Sequence, residues 1–327
     1  MKQPRQEHHS PRRYDVRHVT TYTYADDVTA SYGRACLRPR DTIGQSVLTH
    51  SITVDPVPAI VTEGLDLFGN WTHYLEIHTP HQRLEVTKRA TIDVARLPWD
   101  LSELDRWTVA EAVAAPPRPD ADPALRAAFL LPSPLVTWDE EVRAYGAALL
   151  PPAAPLGEAL AGLVTAIFEG FTYAKGATNV RTTLPELLRI RAGVCQDFAH
   201  LMIGVLRSVG LPARYVSGYL ETAPPPGKPK LQGADATHAW AGVQLPDGRW
   251  LDLDPTNDCV ADSRYLVTAW GRDYRDVAPL KGVIYTEGAS STLTVAVDVT
   301  RVGDDIRGDV GDSPRDQAET GSEGQGG

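Results

Sequence analysis

Over the first ninety residues hydrophobic and polar positions alternate in short stretches. Tyr14, Val16, His18, Thr20, Tyr22 and Tyr24 share one parity, the period of a half-buried strand. Segments 46–54, 71–77 and 84–94 repeat the pattern, separated by turns such as Phe68-Gly69-Asn70. Together they predict a small antiparallel β domain over residues 14–97. Residues 98–155 are rich in alanine and proline and read as a connector with short helices, one of them near 138–149.

The period then changes. Leu160, Leu163, Val164, Ile167 and Phe168 form one helical stripe, as a core-facing helix requires. Thr183 and Glu186, with Pro185 between them, predict a capping box opening a short helix through Ile190. Gly193 is its expected left-handed stop. A second helix should begin at about Cys195, burying Phe198, Leu201, Met202, Val205, Leu206 and Val209, and end at Gly210-Leu211-Pro212. Strands are expected over 213–220, 237–245 and 249–253, with an exposed, mobile loop at Pro224-Pro225-Pro226-Gly227.

The 327 residues, 42% of them hydrophobic, suffice for two domains. A net charge of −10 disfavours nucleic acid and anionic membrane as partners, since both are negative. Part of that charge sits in 303–327, where seven acidic residues face only Arg307 and Arg315; a disordered tail is expected there. No run approaches the ~20 apolar residues of a membrane span, and the polar start MKQPRQEHHS does not read as a signal peptide. Cys36, Cys195 and Cys259 show neither a close pair nor ligand spacing. No acidic cluster has calcium-loop spacing. A cytoplasmic, reduced protein without metal or cofactor is the expectation, and no pattern specifies an oligomeric state.

A cysteine in the first turn of a buried helix meets free backbone N–H groups and the positive end of the helix dipole, which favour thiolate. The same N–H groups can stabilise an oxyanion. Such a nucleophile needs a base, and the base needs an orienting partner. Among nine histidines, His200 lies five residues beyond Cys195, about 140° around the helix, and so on the wrong face. His238 opens a strand whose neighbour ends in Asp252-Leu253-Asp254. A three-residue loop at Pro246-Asp247-Gly248 would set Asp254 opposite Trp240, one diagonal step from His238, within ~7–8 Å. Asp252 shares that face and stays a rival.

The run Gly193-Val194-Cys195-Gln196-Asp197-Phe198-Ala199-His200, then 210–219, Thr237-His238-Ala239-Trp240 and 250–257 resembles the catalytic core of bacterial transglutaminase-like proteins, with its blocks in the same order. Residues 271–283 fit this subfamily too. Upstream, 14–94, with Leu37-Arg38-Pro39-Arg40, resembles the N-terminal region fused to such cores. The resemblance implies an α+β protein: an N-terminal antiparallel β domain, then a papain-like catalytic domain over 156–300. It implies a Cys195–His238–Asp254 triad, with Asp254 preferred over Asp252. For the oxyanion donor and the surrounding shell the candidates are Tyr173, Gln196 and Trp240, although core packing explains Tyr173 as well. Trp240 and Trp250 read as packing that frames the histidine. The implied chemistry is a thioester acyl-enzyme formed from a peptide or protein amide. Water as acceptor makes a hydrolase of peptide or isopeptide bonds, an amine makes a transglutaminase, and a non-catalytic peptide-binding module is the third reading.

Overall fold

The computed structural model describes residues 9–119, 121–222, 237–288 and 290–303. The expected loop at 224–227 and the expected tail beyond Gly303 lie outside the described residues.

Five strands come first: β1 (Arg12–Ala35), β2 (Gln45–Asp55), β3 (Ile60–Leu65), β4 (Trp71–Ile77) and β5 (His81–Val94). The first, fourth and fifth bury alternate residues along much of their length, as the pattern predicts; β3 is exposed throughout and carried no such alternation. The 24-residue β1 organises the sheet. Its first half pairs with β5 and its second half with β4, all antiparallel, with a register break between Thr23 and Val28.

The connector expectation undervalued residues 98–155. A 3₁₀ turn over Leu101–Arg106 precedes α1 (Val109–Ala114), α2 (Pro123–Ala128) and α3 (Glu140–Leu149). Leu104, Val109, Ala112, Val136, Val142 and Leu150 all enter the main hydrophobic core. The core's helices are α4 (Leu156–Gly170), α5 (Leu184–Ile190) and α6 (Cys195–Ser208). A two-residue strand, β6 (Thr172–Tyr173), pairs in parallel with β7 (Ala192–Gly193). Phe168 is 37% exposed rather than part of the buried stripe. Nor is Gly193 the helix stop: Arg191, at φ +55°, takes the left-handed position. Glycine at 193 answers to crowding, because a Cβ there would come within 2.8 Å of an Asp197 carboxylate oxygen.

The helices cover one face of a second antiparallel sheet: β8 (Ala213–Leu220), β9 (Thr237–Gln244), β10 (Trp250–Asp254), β11 (Cys259–Val260) and β12 (Tyr265–Gly271), in the order β11-β10-β9-β8-β12. Ala239, Ala241 and Val243 face the helices, while Trp240 packs on the opposite face with Val216, Tyr265 and Val267. Burial on both faces marks this sheet as a central layer.

After α7 (Tyr274–Val277) the chain returns to the first sheet. The strands β13 (Leu280–Thr286) and β14 (Ser291–Arg301) pair with the second and first halves of β1. This corrects the expectation that 156–300 is one catalytic unit. Val297 and Val299 join Tyr14, Val16, Tyr219 and Leu266 in the cluster that joins the two sheets. Burying that apolar stripe requires the last strand to sit on the first sheet.

Candidate active site

Cys195 opens α6 and is half-buried. The helix start is held by Asp197, whose carboxylate accepts from the Val194 N–H at 2.8 Å and from the Thr178 hydroxyl at 2.6 Å. An acidic residue in the first turn complements the exposed N–H groups there.

The hairpin between β9 and β10 closes as expected. Leu245 N–H donates to the Arg249 carbonyl, and Gly248 takes φ +84°. Leu253 pairs with Ala241 and Asp252 with Gly242, so Asp254 stands one step further, level with Trp240. From there its carboxylate receives His238 Nε2 at 2.7 Å. The Cys195 thiol lies within electrostatic reach of the same imidazole and favours its charged form. Since Nε2 is committed to Asp254, Nδ1 is the nitrogen left for the thiol.

Asp254 is fully buried and richly supplied with donors. Its Oδ1 accepts from Thr256 N–H at 2.8 Å and Asn257 N–H at 3.3 Å; its Oδ2 also accepts from Asn257 Nδ2 at 2.6 Å and the Tyr265 hydroxyl at 2.7 Å. Burial favours the neutral acid, but the His238 charge and these donors outweigh it and hold the carboxyl below its usual range. On His238 burial likewise opposes charge, and Asp254 and the thiol overcome it, so its pKa is raised. Both groups therefore stay ionised in a buried setting.

The rival Asp252 lies on the same face but is engaged elsewhere. It pairs with Arg96 at 3.0 Å and Arg214 at 3.4 Å, a structural cluster in which Arg214 stacks between Trp250 and Trp270. Trp250 therefore does not frame the histidine; it packs on Phe129 and Arg214. Trp240 does: fully buried, its ring lies 6.1 Å from the His238 ring at a 30° tilt. Gln196 is half-buried next to the thiol. The β6–β7 pairing brings Tyr173 level with Gly193, against Phe198 and within electrostatic reach of Cys195. His200 is buried, accepts the Tyr274 N–H at 3.2 Å and has its pKa lowered to about 4, chiefly by burial. Cys36 and Cys259 are buried, and burial pushes both thiols up to about 12.

Three residues of the site carry no role in the sequence pattern: Asn257, Thr256 and Tyr265. The first two belong to an Asp-Pro-Thr-Asn turn, where an aspartate accepting from the N–H groups two and three residues on is a local signal. Tyr265 had none, because it arrives from the opposite edge of the sheet.

Two family models match this chain. Residues 14–93 match the bacterial transglutaminase-like N-terminal region, and residues 144–255 match the transglutaminase-like superfamily. The protein belongs to that superfamily and carries its bacterial N-terminal region. An uncharacterised protein of Mycobacterium tuberculosis strain H37Rv is 44% identical over 295 residues, 88% of this chain and 92% of its own length. A structure described as that of a proposed cysteine protease from Cytophaga hutchinsonii is similar at a TM-score of 0.69 and 20% identity, covering 93% of both chains; this is a likeness of fold. A shorter match, 39% identical over 87 residues, joins 26% of this chain to 13% of a protein-glutamine gamma-glutamyltransferase of Pseudomonas aeruginosa. Among the described residues no helix is long and apolar enough to cross a membrane.

Proposed function

We propose that this protein cleaves amide bonds through a thioester acyl-enzyme, with Cys195 as nucleophile, His238 as acid and base, and Asp254 as the group that orients His238. The observation that carries this reading is that Asp254 holds the His238 imidazole through Nε2 at 2.7 Å, within electrostatic reach of the Cys195 thiol at the start of α6. The thiolate attacks the amide carbonyl, and the carbonyl π pair moves to oxygen. Backbone N–H groups at the start of α6 are the natural oxyanion donors, with the Tyr173 hydroxyl as the side-chain candidate. Collapse breaks the C–N bond, and the leaving amine takes its proton from the His238 imidazolium. The now neutral imidazole accepts a proton from water as the hydroxide adds to the thioester. Expulsion of the thiolate releases the acid and restores the ion pair.

Water is the proposed acceptor because the half-buried Cys195 leaves the thioester accessible, making the protein a hydrolase of peptide or isopeptide amides. Transfer to an amine is the second reading, favoured by the local match to the Pseudomonas transferase. The three free thiols fit a reducing, cytoplasmic compartment. The test is partitioning: an amide substrate is incubated with rising primary amine, and free acid is measured against amide product. Free acid should dominate at millimolar amine. An amine adduct dominating at low amine, and lost in Cys195→Ala, would replace hydrolysis by transfer. Absence of any acyl-enzyme on amide substrates would remove both.

A further inference from the structure

Tyr265 opens β12, at the far end of the sheet order from β10. Its ring nevertheless lies against Trp240 at 5.3 Å and His238 at 6.0 Å. Its hydroxyl reaches Asp254 Oδ2 at 2.7 Å, the same oxygen that receives His238 Nε2. The hydroxyl also lies 3.2 Å from Cys259 Sγ. Since a carboxylate oxygen only accepts, the phenol proton is directed to Asp254, leaving the Cys259 thiol to donate to the phenol oxygen. The sequence thus builds a relay of donors, thiol to phenol to carboxylate, entirely within the buried face.

We propose that Tyr265 is a positioning residue: its hydroxyl shares Asp254 Oδ2 with His238 and thereby limits how tightly that carboxylate holds the imidazolium. The inference rests on the acyl-transfer reading for its purpose and on the hydrogen-bond geometry for its content. A carboxylate oxygen with three donors offers each less charge than one with two. Too firm a hold on the imidazolium would make it a poor acid toward the leaving amine, because proton transfer is best when the catalytic pKa lies near the working pH. Tyr265 moderates that hold, and its ring packs against both His238 and Trp240.

Tyr265→Phe keeps the ring and removes the donor. The expected result is a folded protein in which the His238 imidazole, followed by NMR, titrates at a higher pH by about half a unit or more. The alkaline limb of Cys195 alkylation should move the same way. In an Asp254→Asn background the Phe substitution should have no further effect on either. An unmoved or lowered His238 midpoint overturns the proposal. If Tyr265→Phe does not fold, the wild-type Tyr265 hydroxyl proton is read instead. It should move downfield as His238 loses its proton and Asp254 leans more on the phenol; a resonance indifferent to that titration overturns the proposal. Neither readout requires turnover. A raised midpoint in a protein that forms no acyl-enzyme would sustain Tyr265 and defeat the proposed function, whereas an unmoved midpoint in an active enzyme would defeat Tyr265 alone.

Discussion

Two sets of ionisable side chains are buried to similar depth, one in each sheet, and burial shifts one set toward neutrality while the other keeps its charge. In the second sheet every buried ion has a counter-ion: His238 faces Asp254, and Asp252 faces Arg96 and Arg214. In the first sheet Lys88 on β5 stands directly opposite His18 on β1. Lys88 is wholly buried, and its amine has no hydrogen-bond partner among the described residues, only the Tyr219 ring 4.5 Å away. His18 bonds the Tyr219 and Thr20 hydroxyls, at 2.9 and 3.1 Å. Burial pushes the Lys88 amine down to about 7; burial and the Lys88 charge push His18 down to about 4. His238, buried as well, is shifted upward. Depth alone pushes a group toward its neutral form; an opposite charge at hydrogen-bond distance keeps it ionised.

The widest separation should come from the two aspartates of β10. Asp254→Asn removes the charge that orients His238 and should lower turnover by about 10⁴-fold. Asp252→Asn should leave turnover near wild type, yet strand the buried Arg214 and the half-buried Arg96 and cost about 3–5 kcal/mol, read from the urea midpoint. A reversal of these two effects would mean that the roles of the carboxylates are exchanged.

Lys88→Met tests the unpaired side of the comparison. Between pH 7 and 10.5 the unfolded lysine holds a proton that the folded one has released. Wild-type stability should therefore rise with pH across that window, by up to about 1.4 kcal/mol per unit, and the full penalty applies below it. Lys88→Met should be the more stable protein at neutral pH and should lack this rise. A variant no more stable at pH 7, with the slope intact, would show that Lys88 has found a counter-ion.

The paired side has a pH signature of its own. The raised His238 pKa places the loss of imidazolium, and with it the alkaline limb of Cys195 alkylation, above the ordinary histidine value of ~6.5. Asp254→Asn removes the negative charge and should draw the limb downward. Iodoacetamide should modify Cys195 at least about ten-fold faster than Cys36 or Cys259, which are buried and held as thiols; equal labelling in the folded protein would refute an activated thiol. The smallest effect is expected from His200→Gln. That histidine meets Tyr274 and not the thiol, so the alkylation profile should not move.

The local features were readable because their causes are local. A capping box, a helix beginning at Cys195 and a Pro-Asp-Gly loop each depend on a few consecutive residues. The loop in turn sets the β9–β10 register, which carries Asp254 to the level of Trp240 and within reach of His238. Pattern alone could not separate Asp254 from Asp252, since both lie on one face of β10 and only Arg96, just past β5, and Arg214 on β8 claim the latter. No sequence pattern marks Tyr265, because β12 meets β8 and not β10 in the ladder. The return of β13 and β14 to the first sheet, and the unpaired state of Lys88, were likewise decided by contacts between segments far apart in the chain. Periodicity records which face of a strand is buried, but what that face meets, apolar side chain, counter-ion or neither, is set by long-range packing, and on that meeting depends whether a buried group keeps its charge.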